Sequence, residues 1–144
     1  MRTKFSWPVR TYWEDTDAGG IVYYANYLKF MERARTEWLR AFGVEQTELH
    51  EREGLMFVVV RAEADFHKPA RYGDLLQVTC EVSKSTRASL TFKQDIVRAG
   101  GSGTADDEIL VSGVVRIACL DALKFRPRPL PEILLQEIGV GGKR

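Results

Sequence analysis

A single change of period constrains this chain more than any other feature. Residues 27 to 42 place apolar side chains at helical spacing, through Tyr27, Phe30, Met31, Ala34, Trp38 and Phe42. Leu28 and Leu39 widen that arc, so the helix is apolar on more than one side and must be covered on more than one side. From Leu55 onward the period drops to two. Phe57, Val59 and Arg61 alternate with Val58, Val60, Ala62, Ala64 and Phe66. Leu76, Val78, Cys80 and Val82 follow, then Leu90, Phe92, Gln94 and Ile96, then Ile109, Val111, Gly113, Val115 and Ile117. Short turn-rich links join these runs, which favours antiparallel neighbours. One helix of about four and a half turns, roughly 24 Å long, beside four or five long strands has one economical packing: a sheet that curls around the helix. The fold class expected is α+β, in one domain over residues 1–144.

The ends of these elements are marked by residue chemistry. Residues 5 to 13 alternate loosely through Phe5, Trp7, Val9, Thr11 and Trp13, and Pro8 assigns this first strand to a sheet edge or a bulge. Asn26 is the candidate N-cap of the helix and Gly43 its terminator. Glu32 and Arg35, Arg33 and Glu37, and Glu37 and Arg40 are spaced to pair along its polar face. Residues 45 to 53 form a polar connector with room for a short helix. Residues 99 to 107 read as a flexible hairpin loop. The tail carries Pro127, Pro129 and Pro131 before a short amphipathic piece from Ile133 to Ile138, and residues 139 to 144 are expected to fray.

Composition excludes several function classes. The net charge of +1 gives no electrostatic footprint for nucleic acid. No apolar run approaches the ~20 residues of a membrane helix, and Met1 to Phe5 opens no signal-peptide core, so a cytoplasmic location is expected. Cys80 and Cys119 stand in alternating runs and read as small core residues. His50 and His67 are far apart, and no metal-ligand spacing occurs. No Walker-type loop suggests ATP.

The chemistry-bearing stretch is Glu14-Asp15-Thr16-Asp17-Ala18-Gly19-Gly20-Ile21-Val22-Tyr23-Tyr24-Ala25-Asn26-Tyr27, directly ahead of the helix. On residue chemistry alone, an acidic cluster here complements the positive end of the helix dipole. It lacks the spacing and terminal Glu of an EF-hand calcium loop. Residues 17 to 27, followed by Phe30 and Glu32-Arg33-Ala34-Arg35, resemble the signature of the 4-hydroxybenzoyl-CoA thioesterase family, most closely its Tol–Pal-associated acyl-CoA thioesterase branch. Phe66-His67-Lys68-Pro69-Ala70-Arg71 with Gly73-Asp74 resembles the family's second motif. Ser89-Leu90 through Arg98, and Leu120-Asp121 with Lys124 through Pro131, fit its later strand and tail. The resemblance covers nearly the whole chain.

That resemblance implies the hot-dog fold, a long helix wrapped by an antiparallel sheet of about five strands. It implies hydrolysis of acyl-CoA to free acid and CoA, with Asp17 as nucleophile or general base and the Tyr24 backbone N–H polarising the thioester carbonyl. Gly19 and Gly20 then permit close approach of backbone to substrate. Glu32 matches a position lining the acyl pocket of some relatives, and Arg87 and Ser89 a segment that nears the CoA phosphates. Many members of the branch carry a histidine where this chain has Tyr24. His67 reads as structural and Asp74 as turn chemistry. No cofactor or metal is implied. Family members assemble as homodimers or homotetramers, and acyl carrier protein or envelope-associated proteins are candidate partners. The alternative reading is a non-catalytic acyl-CoA or acyl-carrier-protein binding module. A dehydratase or hydratase on this fold uses an Asp/His helix pair, and this helix contains no histidine.

Overall fold

The computed structural model describes residues 5–99 and 107–138. Most of the expected flexible loop, the terminal stretch 139–144 and residues 1–4 lie outside that range. In chain order the elements are β1 (Phe5–Arg10), a 3-10 turn (Trp13–Asp15), α1 (Asn26–Ala41), α2 (Gln46–Glu53), β2 (Leu55–Phe66), β3 (Leu75–Ser85), β4 (Ser89–Arg98), β5 (Glu108–Asp121) and α3 (Glu132–Ile138). The five strands form one antiparallel sheet in the order β1-β3-β4-β5-β2. Pro8 lies on β1, an edge strand, where its missing N–H is tolerated.

The sheet turns one face onto α1. Tyr27, Phe30, Met31, Ala34, Trp38 and Leu39 are buried against Leu76, Val78, Cys80, Leu90, Phe92 and Ile96. Trp38 anchors this layer, edge-on to Phe92 at 5.0 Å and tilted against Phe42 at 4.6 Å. Gly43 takes a positive φ of 85° that an L side chain would resist, and its N–H returns to the Arg40 carbonyl. The C-terminal end of α1 is thereby closed.

Several expectations need correction. The first strand stops at Arg10, and Trp13 belongs to the 3-10 turn. Asn26 is inside α1 rather than its cap: Ala25 holds the cap position without a side-chain bond, and the Asn26 amide donates to the Asp15 carbonyl at 2.9 Å. β3 continues to Ser85, so only residues 86 to 88 separate it from β4. Ile109 faces outward, because the β4–β5 register shifts between Ile96 and Val97 and Leu110 takes the buried place. A similar shift at Val59/Arg61 offsets the alternation of β2. Of the three expected helix pairs, Glu37–Arg40 forms at 2.7 Å. Glu32 accepts from the Thr36 hydroxyl instead, and Arg35 turns inward to Gln94.

Candidate active site

The acidic stretch folds as a tight hairpin because Gly20, at φ 83°, reverses the chain. Thr16 bridges Val22, Asp17 N–H donates to the Ile21 carbonyl at 2.9 Å, and Gly20 N–H returns to the Asp17 carbonyl at 3.0 Å. Two carboxylates two residues apart take opposite parts. Asp15 is buried, and its Oδ2 accepts from Tyr12 N–H at 2.7 Å. Its carbonyl also receives Tyr23 N–H and the Asn26 side chain. Asp17 is exposed, and its Oδ1 accepts from Gly19 N–H at 2.8 Å. Among the described residues no other group bonds its carboxylate. A Cβ at position 19 would stand 3.2 Å from that same Oδ1, so the glycine leaves room for the carboxylate.

Tyr24 sits one residue before the Ala25 cap position. Among the described residues its N–H donates to no protein group, while its carbonyl accepts from Tyr27 N–H at 3.3 Å. This end of the helix therefore keeps an amide without a protein acceptor among the described residues, where the helix dipole favours negative charge. Beside it is a cavity of about 230 Å³ lined by Ile21, Val22, Tyr24, Tyr27, Phe66, His67, Lys68 and Pro69. Tyr24 and Tyr27 both pack on Phe66, at 5.9 and 5.8 Å. The Tyr27 hydroxyl accepts from Ala70 N–H at 2.9 Å. Burial pushes the Tyr27 phenol up, and the charge of Asp17 is among the further contributions in that direction.

The other sequence-predicted residues lie elsewhere. Glu32 is one helical face further on, where it lines a second cavity of about 320 Å³ with Leu28, Lys29, Arg35, Val59, Ala62 and Val115. Arg87 is exposed at the tip of the β3–β4 turn. Ser89 is buried, and its hydroxyl pairs with that of Thr86 at 2.7 Å, closing the turn under Arg87. Asp74 accepts from Arg71 N–H within its turn and also takes an ion pair from Arg98 at 2.7 Å. Both thiols are buried and free, with Cys80 pushed up to about 12 and Cys119 to about 11 by burial. No cluster suited to a metal ion occurs among the described residues. Sequence reasoning missed that His67 faces the cavity at the helix end. The only available signal was its place immediately after an alternating run, at the mouth of the sheet.

Residues 19–105 match the Thioesterase superfamily. The chain belongs to that superfamily. It is 43% identical to the acyl-CoA thioester hydrolase YbgC of Escherichia coli over 135 residues, which is 94% of this chain and 96% of that one. It is 43% identical over 128 residues to the acyl-CoA thioesterase YbgC of Haemophilus influenzae, covering 89% of both. The solved structure of a 4-hydroxybenzoyl-CoA thioesterase mutant bound to 4-hydroxybenzoyl-CoA superposes with a TM-score of 0.85 at 19% identity, over 93% of this chain and 97% of that one. That likeness is one of fold, and the fold is the hot dog, with α1 wrapped by the five-stranded sheet. No helix among the described residues is long and apolar enough to cross a membrane.

Proposed function

We propose that the open end of α1 is the active site of an acyl-CoA thioester hydrolase, yielding free acid and CoA. The observation that carries this reading is the Tyr24 amide, without a protein acceptor among the described residues, beside a cavity, with Asp17 bonded through its backbone to cavity-lining Ile21. A thioester carbonyl seated on Tyr24 N–H gains stabilisation as its oxygen becomes negative, and that oxygen needs no side chain at position 24. Asp17 either attacks the carbonyl carbon or takes a proton from the attacking water. Gly19 and Gly20 hold the hairpin close enough for that approach. Arg87 is suited to a CoA phosphate, with Ser89 bracing its turn. Glu32 and its cavity take part of the acyl group. The 43% identity to two acyl-CoA hydrolases supports the substrate class.

A second copy completes the surface. On edge strand β2, Val59, Val60 and Phe66 are each about half exposed, and the Glu32 cavity opens beside that edge. A homodimer or homotetramer of this single domain, located in the cytoplasm, follows from the same reading. Light scattering tests it against the 16.4 kDa of one chain.

The reaction is tested by thiol release from short, long and aromatic acyl-CoAs. Wild type should release CoA from at least one, and Asp17→Asn should lower release by roughly 10²–10⁴-fold without changing the melting curve. Asp17→Asn turnover at the wild-type rate would sink the assignment. Saturable acyl-CoA binding with no thiol release by wild type would favour the binding-module alternative.

A further inference from the structure

Resting on the hydrolase reading above, we propose that His67 is a catalytic residue of the same site, the acid that protonates the departing CoA sulfur. His67 lines the cavity that also contains Tyr24, although the two are far apart in sequence. Its backbone is fixed where β2 ends, with the N–H groups of His67 and Lys68 both donating to the Leu110 carbonyl, at 2.8 and 3.1 Å. Ser112 Oγ on β5 lies 3.2 Å from Nε2 and holds the ring by one edge. Among the described residues Nδ1 has no protein partner, which leaves one nitrogen for a ligand.

The walls explain why an acid belongs here. Ile21, Val22, Phe66 and Pro69 give the cavity apolar surface, and a thiolate expelled against such surface is costly as an anion. Charges around the ring are largely matched. Lys68 pairs with Glu108 at 2.9 Å, and Arg98 pairs with Glu108 and Asp74 at 2.7 Å each. Asp65 lies two residues earlier in β2. His67 is the one imidazole lining this cavity, the side-chain type most often used for general acid–base transfer.

The step balances without a co-reactant beyond water. Water adds to the carbonyl carbon and leaves its proton on Asp17. The C–S bond then breaks with its electron pair on sulfur, and the imidazolium N–H proton passes to that sulfur. The proton on Asp17 returns through solvent to the imidazole, so one thioester and one water give one acid and one thiol. If Asp17 attacks directly, the C–S bond breaks as an acyl-Asp17 anhydride forms, and the imidazolium still protonates the sulfur. Water then cleaves the anhydride to the free acid and the Asp17 carboxylate, and its remaining proton returns to the imidazole.

An acid catalyst matters in proportion to how poor the leaving group is. The test compares wild type, His67→Gln and His67→Ala on an acyl-CoA and on the same acyl group carried by thionitrobenzoate, whose thiolate leaves readily. Expected is a kcat loss on the order of 10²-fold on the acyl-CoA, little change in KM, and near wild-type kcat on the thionitrobenzoate ester. Added imidazole should restore part of the His67→Ala rate. Equal losses on both esters without imidazole rescue, or no loss at all, would overturn the proposal. If Asp17→Asn is inactive while both His67 variants run at wild-type rate, the role of His67 fails and the hydrolase reading stands. If wild type cleaves neither ester, both fail.

Discussion

The two ends of α1 are built on opposite plans. At the C-terminal end the chain closes back on the helix. Trp38 is clamped between Phe42 and Phe92, and Gly43 returns its N–H to the helix. At the N-terminal end the cap position has no side-chain bond, the Tyr24 amide has no protein acceptor among the described residues, and the Asp17 carboxylate is bonded through one oxygen among the described residues. A helix end satisfied by its own chain contributes stability and leaves nothing for a ligand. An end left open gives up a capping bond, worth about 1 kcal/mol, and becomes a place where something else must supply the charge.

The contrast breaks cleanly if function and stability separate along the helix. Asp17→Asn should lower turnover by roughly 10²–10⁴-fold with an unchanged denaturation midpoint. Trp38→Ala should do the reverse, losing about 3–5 kcal/mol in urea unfolding while kcat, assayed well below its melting temperature, stays near wild type. Gly19→Ala sharpens the boundary. The added methyl crowds Asp17 Oδ1, so a loss of about 10- to 100-fold in kcat is expected with little change in melting. Within the acidic cluster, Asp15→Ala should behave as a structural change. It strands the Tyr12 N–H of a part-buried bond, costing about 1 kcal/mol by calorimetry or denaturant titration.

The smallest effect lies outside both ends. The bonds from Lys68 and then Arg98 hold the Glu108 carboxyl well below its ordinary 4.5, at about 2. A depressed carboxyl stabilises the fold above its unfolded pKa and loses that contribution as pH falls through the folded value. The melting temperature of Glu108→Gln should therefore trail wild type at neutral pH. The gap should shrink below about pH 4.5 and close near pH 2. A gap that is constant with pH would show that the pair acts through shape alone.

Much of this architecture could be read from period. The buried positions Leu76, Val78, Cys80 and Val82, and Leu90, Phe92, Gln94 and Ile96, are those that alternation selects. Alternation fails at Ile109 because one inserted residue reverses the parity of everything beyond it. The helix ladder misleads at Arg35 for a different reason. Spacing shows which residues are neighbours but not which way a long side chain turns, and Arg35 lies on the side of Met31 and Trp38. The site was half legible. The hairpin glycines and Asp17 carry a recognisable pattern, whereas the different roles of Asp15 and Asp17 depend on which carboxylate the Tyr12 amide meets. His67 reaches the cavity only through the pairing of β2 with β5, a contact between distant parts of the chain that no local pattern records.

Gln94 has a mechanical consequence. Fully buried on β4, its Nε2 donates to the Met31 carbonyl of α1 at 3.1 Å and to the Thr79 carbonyl of β3 at 3.3 Å, while Oε1 accepts from Arg35 at 3.0 Å. This amide is a dowel through helix and sheet. Sliding α1 by even one residue, about 1.5 Å, would shear the two bonds to Met31 and Arg35 in a place water cannot repair. The interval between the Tyr24 amide and the far cavity at Glu32 is thus a fixed gauge. If the proposed site is right, substrate length is set by the side chains that fill that interval, because the helix itself is pinned in place.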